Sequence, residues 1–278
     1  MIMEIKLSII TINLNNCSGL KKTINSVINQ TYTDFEYIII DGGSTDGSID
    51  IIQENSERIT YWISEADKGI YNAMNKGIDI AKGNYCLFMN SGDSLYNSTT
   101  LEKSIVYLDG TDIILGDTLE TDGRIVLHKK NITFKTLYSD SLSHQSSFIK
   151  TSLLKKYHYD ESLKIVSDWK FFLQTLIIDN STYKGIPLFI SIYDISGITN
   201  SNFARFIEER NFVVKKMFPL RILENMDELI EGNSWEDKLY IKIKSSKYHK
   251  VIYNAIVVVL KVLSLRRDSW ITKFPNKI

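Results

Sequence analysis

Apolar and polar positions alternate in blocks along the first half of the chain, and the blocks are of two kinds. Leu7–Ile12 is a β-branched apolar run, the pattern of a buried strand, and Leu20–Ile28 then carries its apolar residues at helical spacing. Tyr37–Ile40 is a second strand. It ends in DGGSTDGS, whose glycines mark a tight turn and whose Ser44 or Asp46 is placed to cap the next helix. Ile59–Ile63 predicts a third strand. After it Ile70, Ala73, Met74, Gly77, Ile78 and Ala81 share one face of a 3.6-residue helix. Asn84–Met89 is a fourth strand and Asp112–Leu115 a fifth.

This alternation implies an α/β fold: a Rossmann-like, mostly parallel sheet flanked by helices on both faces. In such sheets ligands bind at the carboxyl ends of the strands, near the point where strand order reverses. The polar strand ends are Asn13–Asn15, Asp41–Gly43, Ser64–Asp67 and Asn90–Asp93, and all four are expected on one edge. From 117 to 130 the spacing becomes hairpin-like. Ser167–Ile178 reads as one amphipathic helix with Trp169, Phe172, Leu173, Leu176 and Ile177 on its apolar face and Asp168 at its start. Beyond about 199 the chain reads as a helical C-terminal extension, without repeats. The expected organisation is a domain over 1–198, in two halves at 1–116 and 117–198, followed by the extension at 199–278.

Charge adds a second asymmetry. Lys+Arg and Asp+Glu both number 33 over 278 residues, so nothing global argues for nucleic acid. Residues 236–278, however, hold ten basic and three acidic residues, an arrangement that points to an anionic surface as partner. Cys17 and Cys86 make no metal-ligand spacing and no disulfide framework, which fits a reducing compartment. The N-terminal MIMEIKLSIITINL is interrupted by Glu4 and Lys6 and reads as a strand, not a signal peptide. Val251–Leu265 contains Asn254 and Lys261 and is shorter than the ~20 residues of a spanning helix.

Three sites carry candidate chemistry. Asp93 ends a strand behind a glycine, where one carboxylate with open coordination suits Mg²⁺ or Mn²⁺ held mainly through phosphates and water; on position alone, an Asx turn or helix cap reads equally well. Asp168 in a first helical turn is either a favourable charge on the helix dipole or a general base. His144-Gln145 is a polar pair before a strand, facing a ligand or simply hydrogen-bonded. No GxGxxG follows the first strand and no GxxxxGK[ST] occurs, which argues against dinucleotide and P-loop proteins.

Taken together, SIITINLNN, SVINQTYTDFEYIIIDGGSTDGS, SEADKGIYNAMNKGIDIAKGNYCLFMNSGDSLY, SHQSSF and YDESLKIVSDWKFF resemble the family-2 glycosyltransferases of the GT-A fold, in order and over residues 7–173. The resemblance implies a metal-dependent inverting transferase, hexosyl- or N-acetylhexosaminyl-, using a nucleotide-sugar, most often a UDP-sugar. Its last acid in MNSGD is the usual Mn²⁺ or Mg²⁺ ligand, which maps to Asp93, with Asn90, Ser91 and Gly92 beside the donor. The acid before Trp in SDW is the base, which maps to Asp168. Thr11 and Asn13 match positions along the nucleobase, and Asp41 begins the nucleoside-contacting turn. Asp67, Lys68 and Asn75 fall in the stretch lining uridine and donor sugar. His144, Gln145 and Trp169 map near the diphosphate or acceptor.

The chain departs from the family pattern at two places. Asp41 is followed by Gly42 where many members carry a second, uracil-contacting acid, and Asn90 and Gly92 replace acids of the DxD segment. Asp93 is then the one protein carboxylate expected on the metal. The resemblance also implies a glycan or lipid-linked acceptor in bacterial polysaccharide biosynthesis, and a cytoplasmic protein. The basic run Lys238, Lys242, Lys244, Lys247, Lys250 and Arg266-Arg267 suits the cytoplasmic face of the inner membrane; a packed hairpin or a dimer contact reads the same residues equally well. The alternative reading of the whole chain is a catalytically silent nucleotide-sugar-binding or partner subunit of the same fold.

Overall fold

The computed structural model describes residues 6–195 and 202–223, with 243, 246–248, 251, 252 and 255 beyond them. Its contacts divide into two compact units, Met1–Met217 and Phe218–Ile278. The expected division at 198/199 falls among residues outside the described set. Apart from those positions, so does the basic tail, and with it the expectation of a membrane surface. No helix among the described residues is long and apolar enough to cross a membrane.

In the first unit, β1 (Leu7–Asn13), β2 (Glu36–Asp41), β3 (Tyr61–Ser64) and β4 (Tyr85–Phe88) alternate with α1 (Cys17–Ile28), α2 (Ser48–Glu54) and α3 (Ile70–Ile80). All three pairings among these strands are parallel. The chain continues through β5 (Ser94–Leu95), α4 (Thr100–Ser104), β6 (Ile113–Glu120), β7 (Ile125–Val126), α5 (Phe134–Ser139) and β8 (Ser147–Lys150). It then forms α6 (Thr151–Tyr157), α7 (Ser167–Phe172), β9 (Tyr183–Tyr193) and α8 (Phe203–Met217). Among the described residues the strands form one sheet in the order β3-β2-β1-β4-β8-β6-β9-β5, with β7 paired to β6 as the expected hairpin.

The β1 run is buried at every position because the sheet is covered on both faces. Leu7 and Ile9 point to the face where Leu20, Ile24 and Val27 of α1 pack. Ile10 and Ile40 point to the other, close against α3 at Gly77. The chain leaves β1 toward β2 and β3, then returns to place β4 on the other flank of β1. Strand order therefore reverses between β1 and β4, and a crevice opens at their carboxyl ends.

Several elements differ from the sequence expectation for local reasons. The third strand begins at Tyr61, since Ser56–Arg58 closes a 3₁₀ turn first. The cap of α2 is neither Ser44 nor Asp46 but Gly47; Asp46 instead accepts from the Ser48 N–H and hydroxyl. The helix begun at Ser167 widens into a π-helix over Leu173–Ile178, where the Thr175 hydroxyl donates back to the Phe171 carbonyl at 2.8 Å. Strand β9 is not among the strands expected from the sequence because Pro187 interrupts its apolar run; that residue sits where the β6–β9 register shifts.

At the opposite end of the sheet from the crevice, Glu36 is buried and accepts from the Ser8 hydroxyl and from the Lys82 and Gly83 N–H groups. Glu36→Ala would remove the shared acceptor of these donors, leaving the Gly83 N–H only its bond to the Ser8 hydroxyl, at about 1–3 kcal/mol for a buried group left unmatched. The expected result is a clear fall in the urea midpoint with no change in ligand binding below that midpoint.

Candidate functional site

A cavity of about 490 Å³ lies in the crevice, a size suited to a small organic ligand. Asn13 from the end of β1, Asn90, Ser91 and Asp93 from the end of β4, and Asp67 from the end of β3 line it. His144, Lys164, Asp168, Tyr193 and Asp194 come from the second half of the sheet, where parallel and antiparallel pairings mix, and from its connections. The shared edge expected from the polar strand ends is thus the floor and one wall of the cavity.

The NSGD turn is held from beneath by α1. Thr23, fully buried, accepts from the Gly92 N–H at 3.0 Å and donates to the Asp93 carbonyl at 2.6 Å. Lys22 Nζ donates to the Gly92 carbonyl at 2.8 Å, and the Asn16 side chain donates to the Ser91 carbonyl while capping α1. Gly92 has φ +107°, and a Cβ there would come within 2.9 Å of Asp194 Oδ2. That explains why no acid stands at 92. Gly92 shapes the turn and is not part of the lining.

Asp93 is 4% exposed and accepts from the Asp194 N–H at 2.9 Å. Burial pushes its carboxyl up to about 7, against the Asp194 N–H and the charges of His144 and Lys22; the Asp194 charge adds to the rise. Asp41 is the opposite case. Burial raises it, but Ser44, Ser64 and Asn13 donors outweigh that and hold its carboxyl below the ordinary range. Its oxygens are taken up by the Ser44, Ser64 and Asn13 side chains and the Gly43 and Ser44 N–H groups, so Asp41 orders the turn from outside the lining. Gly42 belongs to the same account: a Cβ there would meet Asp67 Oδ2 at 2.9 Å. Asp67, paired with Lys76 at 2.7 Å, therefore occupies the space that a side chain at 42 would need.

Other sequence candidates sit behind the lining. Thr11 is fully buried and bonds the Met89 carbonyl and the Tyr37 hydroxyl. Asn75 clasps the Tyr159 backbone and Glu161. Gln145 is buried next to His144. Trp169 is buried with its Nε1 donating to the Leu137 carbonyl. Lys68 stands at the rim, its carbonyl accepting from Lys164 Nζ at 3.3 Å. Sequence reasoning missed Tyr71, Lys164, Tyr193 and Asp194 in the lining. Asp194 carried one usable signal: a polar position directly after a strand.

Across the cavity, Asp168 Oδ2 accepts from His144 Nδ1 at 3.0 Å and Oδ1 from the Tyr71 hydroxyl at 3.0 Å. His144 Nε2 lies 3.2 Å from Asn90 Nδ2, so the imidazole links the Asp168 wall to the end of β4. Burial raises Asp168, but the hydrogen bond and charge of His144, with Tyr71 and the Trp169 N–H, hold it below the usual carboxylate range. Burial lowers His144, and Asp168, with help from Asp93, more than offsets it, leaving the imidazole above its ordinary 6.5. The Asp168 carboxylate is therefore ionised at neutral pH and held in place by two donors.

Two observations bear on a metal. Asp93 is a desolvated carboxylate beside a second one, Asp194, and a divalent cation would relieve both. Among the described residues no three His, Cys, Asp or Glu converge into a cage. The donor set fits a hard cation held mostly by a ligand's phosphates and water, and does not fit a tight protein-only site. Two side-chain acceptors, Asn13 Oδ1 and Asn90 Oδ1, are buried at the cavity without a partner, which also favours a polar ligand.

A profile of the family described as Glycosyl transferase family 2 matches residues 8–174. The PGL/p-HBAD biosynthesis glycosyltransferase of Mycobacterium bovis is 30% identical over 179 residues, which are 59% of this chain and 67% of that protein. S. aureus TarS 1-349 in complex with UDP-GlcNAc superposes with a TM-score of 0.63 at 19% identity, covering 81% of this chain and 70% of that one. Of a longer S. aureus TarS chain, this chain spans 42%. Mannosyltransferase PcManGT from Pyrobaculum calidifontis, in complex with GDP-Man and Mn²⁺, superposes at 0.62 with 12% identity, over 95% and 81% of the two chains. At such identities the structural likeness speaks for the fold alone, and that fold is GT-A.

The His144–Asp168 pair has a definite pH signature. A raised His pKa stabilises the fold fully below 6.5 and loses that contribution as pH rises through the folded value; a lowered Asp pKa loses its contribution only as pH falls below 3.8. The His144 midpoint in an NMR titration is expected above 6.5, and in Asp168→Asn it falls below the wild-type value as burial takes over. An unchanged midpoint would mean the two side chains are not paired.

Proposed function

Since the chain belongs to glycosyl transferase family 2, we propose that it is an inverting glycosyltransferase that moves a sugar from a nucleotide-sugar, a UDP-sugar in the first instance, to a hydroxyl of a glycan acceptor. The observation that carries this reading is the cavity itself: a desolvated Asp93 on one wall, an ionised Asp168 on the other, and His144 between them. The relative named as a PGL/p-HBAD biosynthesis glycosyltransferase supports glycosyl transfer, and the UDP-GlcNAc complex of TarS supports a nucleotide-sugar donor. The GDP-Man and Mn²⁺ complex of PcManGT supports a divalent cation with a donor of another base.

In this reading Asp93, with Asp194 beside it, would hold Mn²⁺ or Mg²⁺. When bound, the cation supplies positive charge to the leaving diphosphate. Asn13 Oδ1 and Asn90 Oδ1 accept from donor N–H or O–H groups. Asp67, occupying the space over Gly42, takes the place of the missing second acid toward the nucleobase. Asp168 accepts the proton of the acceptor hydroxyl as that oxygen attacks the anomeric carbon. The bond from that carbon to the diphosphate oxygen breaks on the opposite face, so one displacement inverts the configuration. His144 and Tyr71 each donate to one Asp168 oxygen and so aim the carboxylate. A lipid-linked acceptor at the cytoplasmic face of the inner membrane rests on the basic tail of the sequence.

The test is thermal stability with UDP, GDP, dTDP and CMP, each with and without Mn²⁺, followed by turnover of the matching nucleotide-sugar. One nucleotide is expected to raise Tm only with the metal, and Asp93→Ala loses the shift. Asp168→Asn keeps the shift but loses about 10²–10⁴-fold in turnover. No shift with any nucleotide would contradict donor binding. A shift without turnover would leave a silent binding subunit.

A further inference from the structure

Helix α8 lies beyond the family-matched residues 8–174, yet two adjacent side chains on it bracket Asp168. Asp168 sits in a helix of six residues whose N-cap, Val166, provides no side-chain hydrogen bond. Asp168 is thus in the first turn, where the entry of the chain into the helix is not fixed by a side-chain cap. On its N-terminal side, Glu209 accepts from the Lys164 N–H at 2.9 Å and the Ile165 N–H at 2.9 Å, and is itself anchored by Arg205 Nε at 3.0 Å. The Glu209 side chain is 11% exposed. Burial raises its pKa, but the Ile165 and Lys164 N–H groups and Arg205 outweigh that and keep it ionised.

On the other side, the Arg210 guanidinium lies 4.2 Å from the centre of the Trp169 ring, the residue that follows Asp168. It donates to the Leu137 and Tyr138 carbonyls at 3.0 and 2.5 Å, and Trp169 Nε1 donates to the same Leu137 carbonyl at 2.6 Å. One carbonyl thus receives both the indole and the guanidinium. Burial draws Arg210 down to about 10, which leaves it charged at neutral pH. Neither Glu209 nor Arg210 lines the cavity.

We propose that Glu209 and Arg210 are positioning residues: they fix the segment before Asp168 and the side chain after it, and so set where the Asp168 carboxylate stands in the cavity. The proposal rests on the reading of Asp168 as the base. Because neither residue reaches the cavity, their loss is expected to act on the chemical step and to leave donor binding intact.

The full chain carrying Glu209→Gln or Arg210→Lys tests this, with three readouts: kcat and KM for the nucleotide-sugar, binding of UDP with Mn²⁺, and the His144 Nδ1–H resonance. That proton bonds to Asp168 Oδ2 and reports its placement. Displacing a reacting group by about 1 Å costs on the order of 10²-fold, so kcat is expected to fall about 10- to 100-fold. KM and nucleotide affinity should stay within about twofold, and the resonance should shift. Wild-type kcat and an unshifted resonance in folded variants, even with a lowered Tm, would overturn the proposal. If the wild type turned over no nucleotide-sugar, the reading of the reaction would fall, while the His144 resonance would still decide the positioning claim. Glu209→Gln keeps one acceptor oxygen and Arg210→Lys keeps the charge. If either variant failed to fold, the other would decide.

Discussion

Asp93 keeps its carboxylate at the end of a buried strand where the Asp194 N–H donates to it, and burial, with the Asp194 charge adding, pushes it up to about 7. A charge in that position is unfavourable unless something arrives to meet it. Much of the surrounding structure follows from making the position possible. The parallel register sets the end of β4 beside the end of β1, Gly92 turns the chain with a positive φ, and Thr23 and Lys22 of α1 tie the turn down. A desolvated carboxylate held this firmly is poised for a cation and its phosphates.

The opposite wall solves a different problem. Asp168 is also buried, but His144 and Tyr71 donate to its oxygens and hold its pKa down. One cavity therefore holds two carboxylates with pKa values driven apart by their surroundings, the usual basis for assigning them separate roles. The two walls differ in origin as well. The first is built by local β–turn–α units of the parallel half. The second is assembled from His144 before β8 and Asp168 in α7, while strand β9 brings Asp194 back to Asp93. Helix α8 braces it from behind.

That difference in origin governs what could be read from the chain. The parallel half was legible because each strand is an apolar run ending in small polar residues, and Asn13, Asp67, Asn90, Ser91 and Asp93 all reach the cavity. Asp168 and His144 stood out as candidates on local grounds and took their roles from the resemblance of their motifs, while their hydrogen bond to each other had no signature in spacing. Thr11, Asn75 and Trp169 share those motifs but hold backbone and core in place, a distinction that depends on which way a side chain points. Strand β9 was hidden by Pro187, and Asp194 with it. Glu209 and Arg210 look like the solvated face of a basic helix until tertiary packing brings them to the Lys164 N–H and the Trp169 ring.

The most direct measurement is a crystal structure of the protein with a UDP-sugar and Mn²⁺. The cation is expected on Asp93, the diphosphate over the β1 and β4 ends, and the anomeric carbon facing Asp168. A nucleotide bound away from Asp93, or a sugar turned so that its anomeric carbon points away from Asp168, would contradict that expectation.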